Sequence, residues 1–197
     1  VGAGCALFLA RAGARIVAIR DVAQTLVDPD GIDGTGIEAL LRGRVDKRLP
    51  SDDARVRTGA PETELLFTPA DVFVCAAVSE SLSAAALHRL ARNGVEVIAC
   101  GANQPFREAK IGVTRVAQLA DRRFSVLPDV MANLGMARTF SYLMRNDANP
   151  NPDAILEAVE RTVTDVLDEA LDRAGAAAPK RLIAATLATA LDRIETQ

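Results

Sequence analysis

Several things are scarce in this 197-residue chain, and each scarcity narrows its chemistry. No apolar run approaches the ~20 residues that a membrane-spanning helix needs. Positive charge is not in excess: 23 Lys and Arg stand against 26 Asp and Glu, for a net charge of −3. Neither a nucleic acid nor an anionic membrane is therefore expected as a partner. The three cysteines, Cys5, Cys75 and Cys100, are odd in number, far apart in sequence and never in Cys-x-x-Cys spacing. They read as reduced, mostly buried small residues of a cytoplasmic protein, not as metal ligands or a disulfide. The one histidine, His88, lies in a helical pattern with nothing adjacent to orient it, and reads as a surface or packing residue. No basic segment opens the chain, so no signal peptide is visible. With 49% apolar and 25% charged residues, the length fits one domain, or one domain plus an appendage, with a proper core.

What is present is organised around Val1 to Asp21. Small residues with helical period, Ala6, Leu9 and Ala10, lead to Gly13, where a helix would end in a left-handed residue. The run Ile16 to Ile19 is continuous and mostly branched, as in a strand buried on both faces. This is the second half of a βαβ unit, and Asp21 stands where such units place an acid about 20 residues past their glycines, on the adenosine ribose. The first strand is missing. Either Gly2-Ala3-Gly4 is the opening Gly-x-Gly, which leaves Leu7 where a small residue belongs, or Gly2 is the last glycine of a motif that begins upstream. The chain is accordingly expected to be truncated at its N-terminus.

Beyond Asp21, the segment Val27 to Asp33 is dense in turn residues, and Asp33 is placed to cap a short helix from Gly36 to Arg42 that Gly43 ends. Asp46 to Gly59 reads as a loop or a variable sheet edge. Pro61 to Phe67 reads as a short helix and Asp71 to Ala77 as a buried strand with small residues at its end. Ser83 caps a helix through Ala91 or Arg92, with Leu87 and Leu90 inward and Asn93-Gly94 as its stop. Strand Glu96 to Ala99 runs into Gly101-Ala102-Asn103. A helix around Glu108 to Asp121 and a strand Phe124 to Leu127 lead to Ala132-Asn133. Three strand ends thus carry small or amide residues, at Ala76-Ala77, Gly101-Ala102-Asn103 and Ala132-Asn133. Such ends let a ligand approach the backbone, and an amide presents both donor and acceptor to a carboxamide or ribose. Finally, Asn151-Pro152-Asp153 opens a helix with an apolar stripe from Ile155 to Leu171, which Gly175 stops. After a short linker, Ala176 to Ala178, Pro179 opens a second helix. The expected architecture is α/β, a Rossmann-like doubly wound sheet with its first strand missing or incomplete, followed by two C-terminal helices. Residues 1–147 form the dinucleotide-binding domain, and 148–197 a helical segment packing back on it.

The order of these blocks resembles the cofactor-binding domain of the glutamate/leucine/phenylalanine/valine dehydrogenases. Asp28-Pro29-Asp30-Gly31-Ile32-Asp33 is similar to that family's Asn-Pro-Asp-Gly-Leu-Asp, and Cys75-Ala76-Ala77 to its Pro-Ala-Ala. Gly101-Ala102-Asn103 and Leu127-Pro128-Asp129, with Ala132-Asn133 and Gly135, stand where the family has the same residues. The tail, with Arg181, Ala184, Ala185 and Arg193, looks like the family's terminal helix.

The resemblance implies a cofactor site made by Gly2 near the pyrophosphate, Asp21 on the adenosine ribose, and the backbones of Ala76 and Ala77. Asn103 and Asn133 fall on the nicotinamide half, and Ala137 and Phe140 on the substrate wall. An acid at Asp21 repels a 2′-phosphate, so NAD is expected before NADP. Phe140 falls where glutamate-specific members place a serine for the side-chain carboxylate, so an apolar amino acid becomes a plausible substrate beside glutamate. Other departures are Cys100 for a glutamate, Met136 for a glycine, and Ser79-Glu80 for Glu-Asn. The family's catalytic lysines and aspartate belong to a substrate domain not contained here, so no catalytic residue is expected in this chain, nor any metal. Implied overall is the cofactor-binding part of an amino acid dehydrogenase with a small-molecule substrate, homo-oligomeric in its full-length form. A non-catalytic nucleotide-sensing module of the same fold, and a plain α/β scaffold, are the competing readings.

Overall fold

The computed structural model of the chain describes residues 1–46, 48–50, 52–58, 65–145, 149–175 and 180–195. Helix α1, Gly2–Arg11, ends as its small-residue period requires, with Gly13 at φ +94° in the left-handed region. Strand β1, Ile16–Arg20, follows. It pairs antiparallel with β2, Gln24–Ile32, which pairs in turn with β3, Val56–Thr58. The expected placement of β1, buried on both faces of a parallel sheet, is corrected by this pairing; all five of its residues are only half-buried.

The turn-rich segment after Asp21 also takes a different form. Ala18 pairs with Val27 but Ile16 pairs with Ile32, so two steps along β1 face five along β2. The surplus, Asp28 to Gly31, bulges out of the ladder. There the turn chemistry operates as read: Asp28 Oδ1 accepts from Asp30 N at 3.1 Å and Gly31 takes φ +76°. Asp33 then caps α2, Gly34–Arg42, by accepting from Gly36 N at 2.8 Å.

A second, parallel sheet has the order β4-β5-β6, formed by Val72–Cys75, Val97–Cys100 and Ser125–Leu127. Its registers run from Val72↔Val97 to Cys75↔Cys100 and from Val97↔Ser125 to Ala99↔Leu127. Helices α3, Ala84–Arg92, and α4, Arg115–Arg123, make the crossovers. Ser83 caps α3 as expected, accepting from Ala86 N at 3.2 Å. Leu82, Leu87, Leu90, Ile98, Phe124 and Val126 make a core that solvent scarcely reaches. Each such side chain contributes about 1.5–3 kcal/mol by leaving water. His88 is exposed beside this buried face. The doubly wound sheet is thus present as two three-stranded sheets.

Helix α4 starts later than the sequence pattern indicates. Glu108, outside the helix, accepts from Val116 N and Ala117 N at 2.8 and 2.9 Å, and Gly112 at φ +83° turns the chain between them. After β6 come the single turn α5, Asp129–Ala132, and then α6, Leu134–Leu143. Helix α7, Pro152–Ala174, begins at an Asn151 cap and stops at Gly175, φ +87°, as read. Helix α8, Leu182–Glu195, lies against α7, β6 and α4. The proposed start of the Pro61 helix, the Ala176 to Ala178 linker and Pro179 fall outside the described residues; Leu65–Phe67 form a 3-10 turn. The start of α8 is held by Asp121 of α4, whose carboxylate accepts from Ile183 N at 2.8 Å and Ala184 N at 3.2 Å.

Candidate functional site

The amino end of α1 meets the chain just past the carboxyl ends of β4 and β5, Gly2 beside Ala76 and Val1 beside Gly101, and the carboxyl edge of a parallel sheet is where a crevice takes ligands. The first backbone bond of α1 is Cys5 N to Val1 O, and no acid stands in its first turn, which suits an anion near that end.

Two glycines shape the crevice differently. A Cβ on Gly2 would lie 3.6 Å from Ala76 Cβ, ordinary contact, so packing alone does not demand glycine there. On Gly101 it would lie 3.1 Å from Val1 Cγ1 and 3.2 Å from Ala76 Cβ, closer than side chains normally come. Gly101, one of the small strand-end residues singled out in the sequence, is therefore the residue that lets α1 sit against the strand ends. Ala76 is half-buried and Ala77 is exposed.

The two asparagines expected on one half of the site are joined: Asn133 Nδ2 donates to Asn103 Oδ1 at 2.9 Å. Behind them Asp129 Oδ2 accepts from Gln104 N at 3.0 Å, and Gln104 O accepts from Glu80 N at 2.8 Å. Gln104 and Glu80 both take left-handed conformations, φ +48° and +56°. Non-glycine residues hold such angles only where their surroundings over-determine them. Here the loops after β4 and β5 do so, with Arg107 Nε donating to Glu80 O at 2.8 Å as well. Asp129 belongs to a recognisable Leu-Pro-Asp block; the left-handed pair left no sequence signal.

Beneath the crevice, Cys75 and Cys100 face each other in register and both are free thiols. Burial pushes Cys100 up to about 12, with Cys75 and Asp129 adding to it. Burial also raises Cys75, partly offset by its 3.0 Å contact with Ser81 Oγ. Among the described residues no three His, Cys, Asp or Glu side chains stand together as a metal site, and no helix is long and apolar enough to cross a membrane.

Asp21 follows β1 of the antiparallel sheet. Its Oδ1 accepts from Ala23 N and Gln24 N, both at 2.7 Å, and its Oδ2 from Leu49 N at 2.6 Å. Burial works to raise its pKa, but the amides of Ala23, Leu49 and Gln24, with the charge of Arg44, hold it below the usual carboxylate range. The Leu49 contact bridges 28 residues and has no sequence signature. Ala137 and Phe140 lie on the exposed side of α6, Phe140 being 60% and its neighbour Met136 67% exposed. The opposite side is anchored by Arg138, whose Nε donates to Thr162 Oγ1 of α7 at 2.8 Å. A separate cleft of about 440 Å³, lined by Arg15, Asp28, Asp33 and Arg55 among others, opens at the carboxyl end of α1. That end is about 15 Å from Gly2 along a ten-residue helix, so the cleft is distinct from the crevice.

Comparison with known proteins agrees with this fold. Glutamate dehydrogenase B of Halobacterium salinarum is 31% identical over 167 residues, covering 81% of this chain and 35% of that protein. Relatives include an NAD-specific glutamate dehydrogenase A of Halobacterium salinarum, 31% identical over 135 residues, and an NADP-specific glutamate dehydrogenase of Escherichia coli, 30% identical over 144. The chain spans about a third of the length of these relatives. The fold is that of a hetero-hexameric glutamate dehydrogenase from Thermus thermophilus in its leucine-bound form, with a TM-score of 0.75 at 24% identity over 100% of this chain and 44% of that one. The family model described as glutamate/leucine/phenylalanine/valine dehydrogenase matches residues 1–197, and the chain belongs to that family.

Proposed function

We propose that the full-length protein oxidatively deaminates an L-amino acid to a 2-oxo acid with NAD, and that this chain holds the dinucleotide and one wall of the substrate site. The observation that carries the reading is the bonded asparagine pair at the strand ends, beside the glycine that admits α1 to them. The start of α1 at Gly2 would lie near the pyrophosphate, while Ala76 and Ala77 present backbone and bare methyl groups to the rest of the ligand. Asn103 and Asn133 retain donors after pairing, which suits a carboxamide. When bound, the dinucleotide supplies the hydride acceptor. The groups that hold the substrate's amino end and activate water are assigned to a substrate domain outside these residues. Its closure over the crevice would exclude water and fix the reacting atoms.

Met136, Ala137 and Phe140 form an apolar wall on α6. Such a wall leaves a side-chain carboxylate unpaired, which supports an apolar amino acid over glutamate. The protein is read as a cytoplasmic homo-oligomer with no nucleic-acid or membrane partner. The test is oxidation of a panel of L-amino acids with NAD by the full-length protein and its Phe140→Ser variant. Apolar substrates preferred in the parent, with glutamate gaining at least about tenfold in relative kcat/KM in the variant, is the expected result. Glutamate preferred by the parent would refute the substrate assignment, and dinucleotide binding without any turnover would favour the sensing module.

A further inference from the structure

We propose that Asp129 and Arg107 are positioning residues: they fix the loops after β4 and β5 in one shape and so set how the nicotinamide half of the dinucleotide is received. The inference rests on the functional reading above and deepens it. At their base the two loops are already zipped together. Ala102 N donates to Cys75 O at 2.8 Å, Leu82 N to Pro105 O at 2.9 Å and Arg107 N to Leu82 O at 2.9 Å, and Ala102, Leu82 and Pro105 are buried. The tips differ. Glu80 and Gln104 are exposed, so burial does little to hold them.

Both tips nevertheless stand in the left-handed region, at φ +56° and +48°, which a residue bearing a Cβ leaves unless it is held. Two side chains hold them. Asp129 Oδ2 accepts from Gln104 N at 3.0 Å, and Arg107 Nε donates to Glu80 O at 2.8 Å. Between these ends Glu80 N donates to Gln104 O at 2.8 Å, so Asp129, Gln104, Glu80 and Arg107 form one continuous chain of bonds. Asn103 directly precedes Gln104, and α5 grips the pair from both of its ends: Asp129, its first residue, takes Gln104 N, while Asn133, its cap, donates to Asn103 Oδ1. Breaking either end of the chain lets a tip relax, and Asn103 loses its fixed direction. A loop ordered in advance spares the ligand the entropy of ordering it. Asp21, on the adenosine side, takes its bonds from Ala23, Gln24 and Leu49 and shares none with this chain. The effect is therefore confined to one half of the ligand.

The test uses the full-length protein and its Asp129→Ala, Asp129→Asn and Arg107→Ala variants. Calorimetric titration with NADH is set beside titration with ADP, which lacks the nicotinamide half, and hydrogen exchange is read at the Gln104 and Glu80 amides. Asp129→Ala and Arg107→Ala should each weaken NADH about tenfold. ADP should stay within about twofold of the parent, and exchange at both amides should quicken. Asp129→Asn keeps an oxygen for Gln104 N and should restore NADH affinity to within roughly threefold of the parent. Equal weakening of NADH and ADP overturns the inference, as does unchanged NADH affinity in either alanine variant. An Asp129→Asn variant no better than Asp129→Ala overturns it too. Failure of both probes to bind the parent is a different result, and removes the functional reading together with the inference that stands on it.

Discussion

The side-chain amide of Asn133 donates to Asn103 Oδ1 at 2.9 Å, so the turn between α5 and α6 is tied to the loop after β5. Removing one partner releases the other to solvent and loosens the tie between the two loops. Asn133→Ala is expected to lower dinucleotide affinity about tenfold. In a double-mutant cycle Asn103→Ala should then add little, with a coupling of about 0.5–1.5 kcal/mol. Strict additivity would mean that the two amides act independently.

Gly101 is where the site has least room. Gly101→Val must displace Val1 or Ala76, which already leave only 3.1 and 3.2 Å for a Cβ. A loss of about 1–3 kcal/mol in urea unfolding is expected, together with loss of dinucleotide binding. Gly2→Ala, with 3.6 Å to the nearest side chain, should leave stability nearly unchanged.

Asp121 joins the C-terminal helices to the parallel sheet. It is 7% exposed, and its carboxylate holds two backbone amides of α8. Asp121→Ala is expected to cost about 1–2 kcal/mol, read from urea unfolding, with fraying of α8 visible as faster exchange at Ile183 and Ala184.

Thiol chemistry gives a direct check on the core beneath the site. The reactive form is the thiolate, and burial raises both Cys75 and Cys100. With a disulfide reagent at neutral pH, only the partly exposed Cys5 should react in the folded protein; all three should react after denaturation.

Acid should loosen the β1–β3 sheet first. The Arg55 side chain holds Asp53 down at about 2 from the ordinary 3.8, and Arg55 also bonds Asp28, whose pKa is likewise lowered. A depressed folded pKa contributes stability that is complete above the unfolded value and disappears as pH falls through the folded one. Stability should therefore drop between about pH 4 and pH 2, and Arg55→Ala should flatten that part of the profile.

What the sequence made legible were elements fixed by their own neighbours. Gly13, Gly94 and Gly175 stop helices in left-handed conformations, and Asp33, Ser83 and Asn151 cap the helices they precede. The β4, β5 and β6 runs needed only their continuous apolar character. Contacts distant in sequence escaped: Glu108 sets the start of α4 across a glycine turn, Asp121 holds α8 from 62 residues away, and Asp21 captures the Leu49 amide. Turn residues also build bulges as well as reversals, which is why Asp28 to Gly31 read as a turn and lies within β2. At the site, residue types showed Asn103 and Asn133 as candidates, but only the fold showed that they bond, that Gly101 sets the spacing, and that Asp21 is already engaged.

The most direct test of the account is hydrogen–deuterium exchange of the full-length protein with and without saturating NADH. Protection gathered at Gly2 to Cys5, Ala76-Ala77, Gly101 to Asn103 and Asn133 is the predicted result. Protection gathered instead around Arg15, Asp33 and Arg55, at the other end of α1, would place the ligand in the wrong cleft and contradict it.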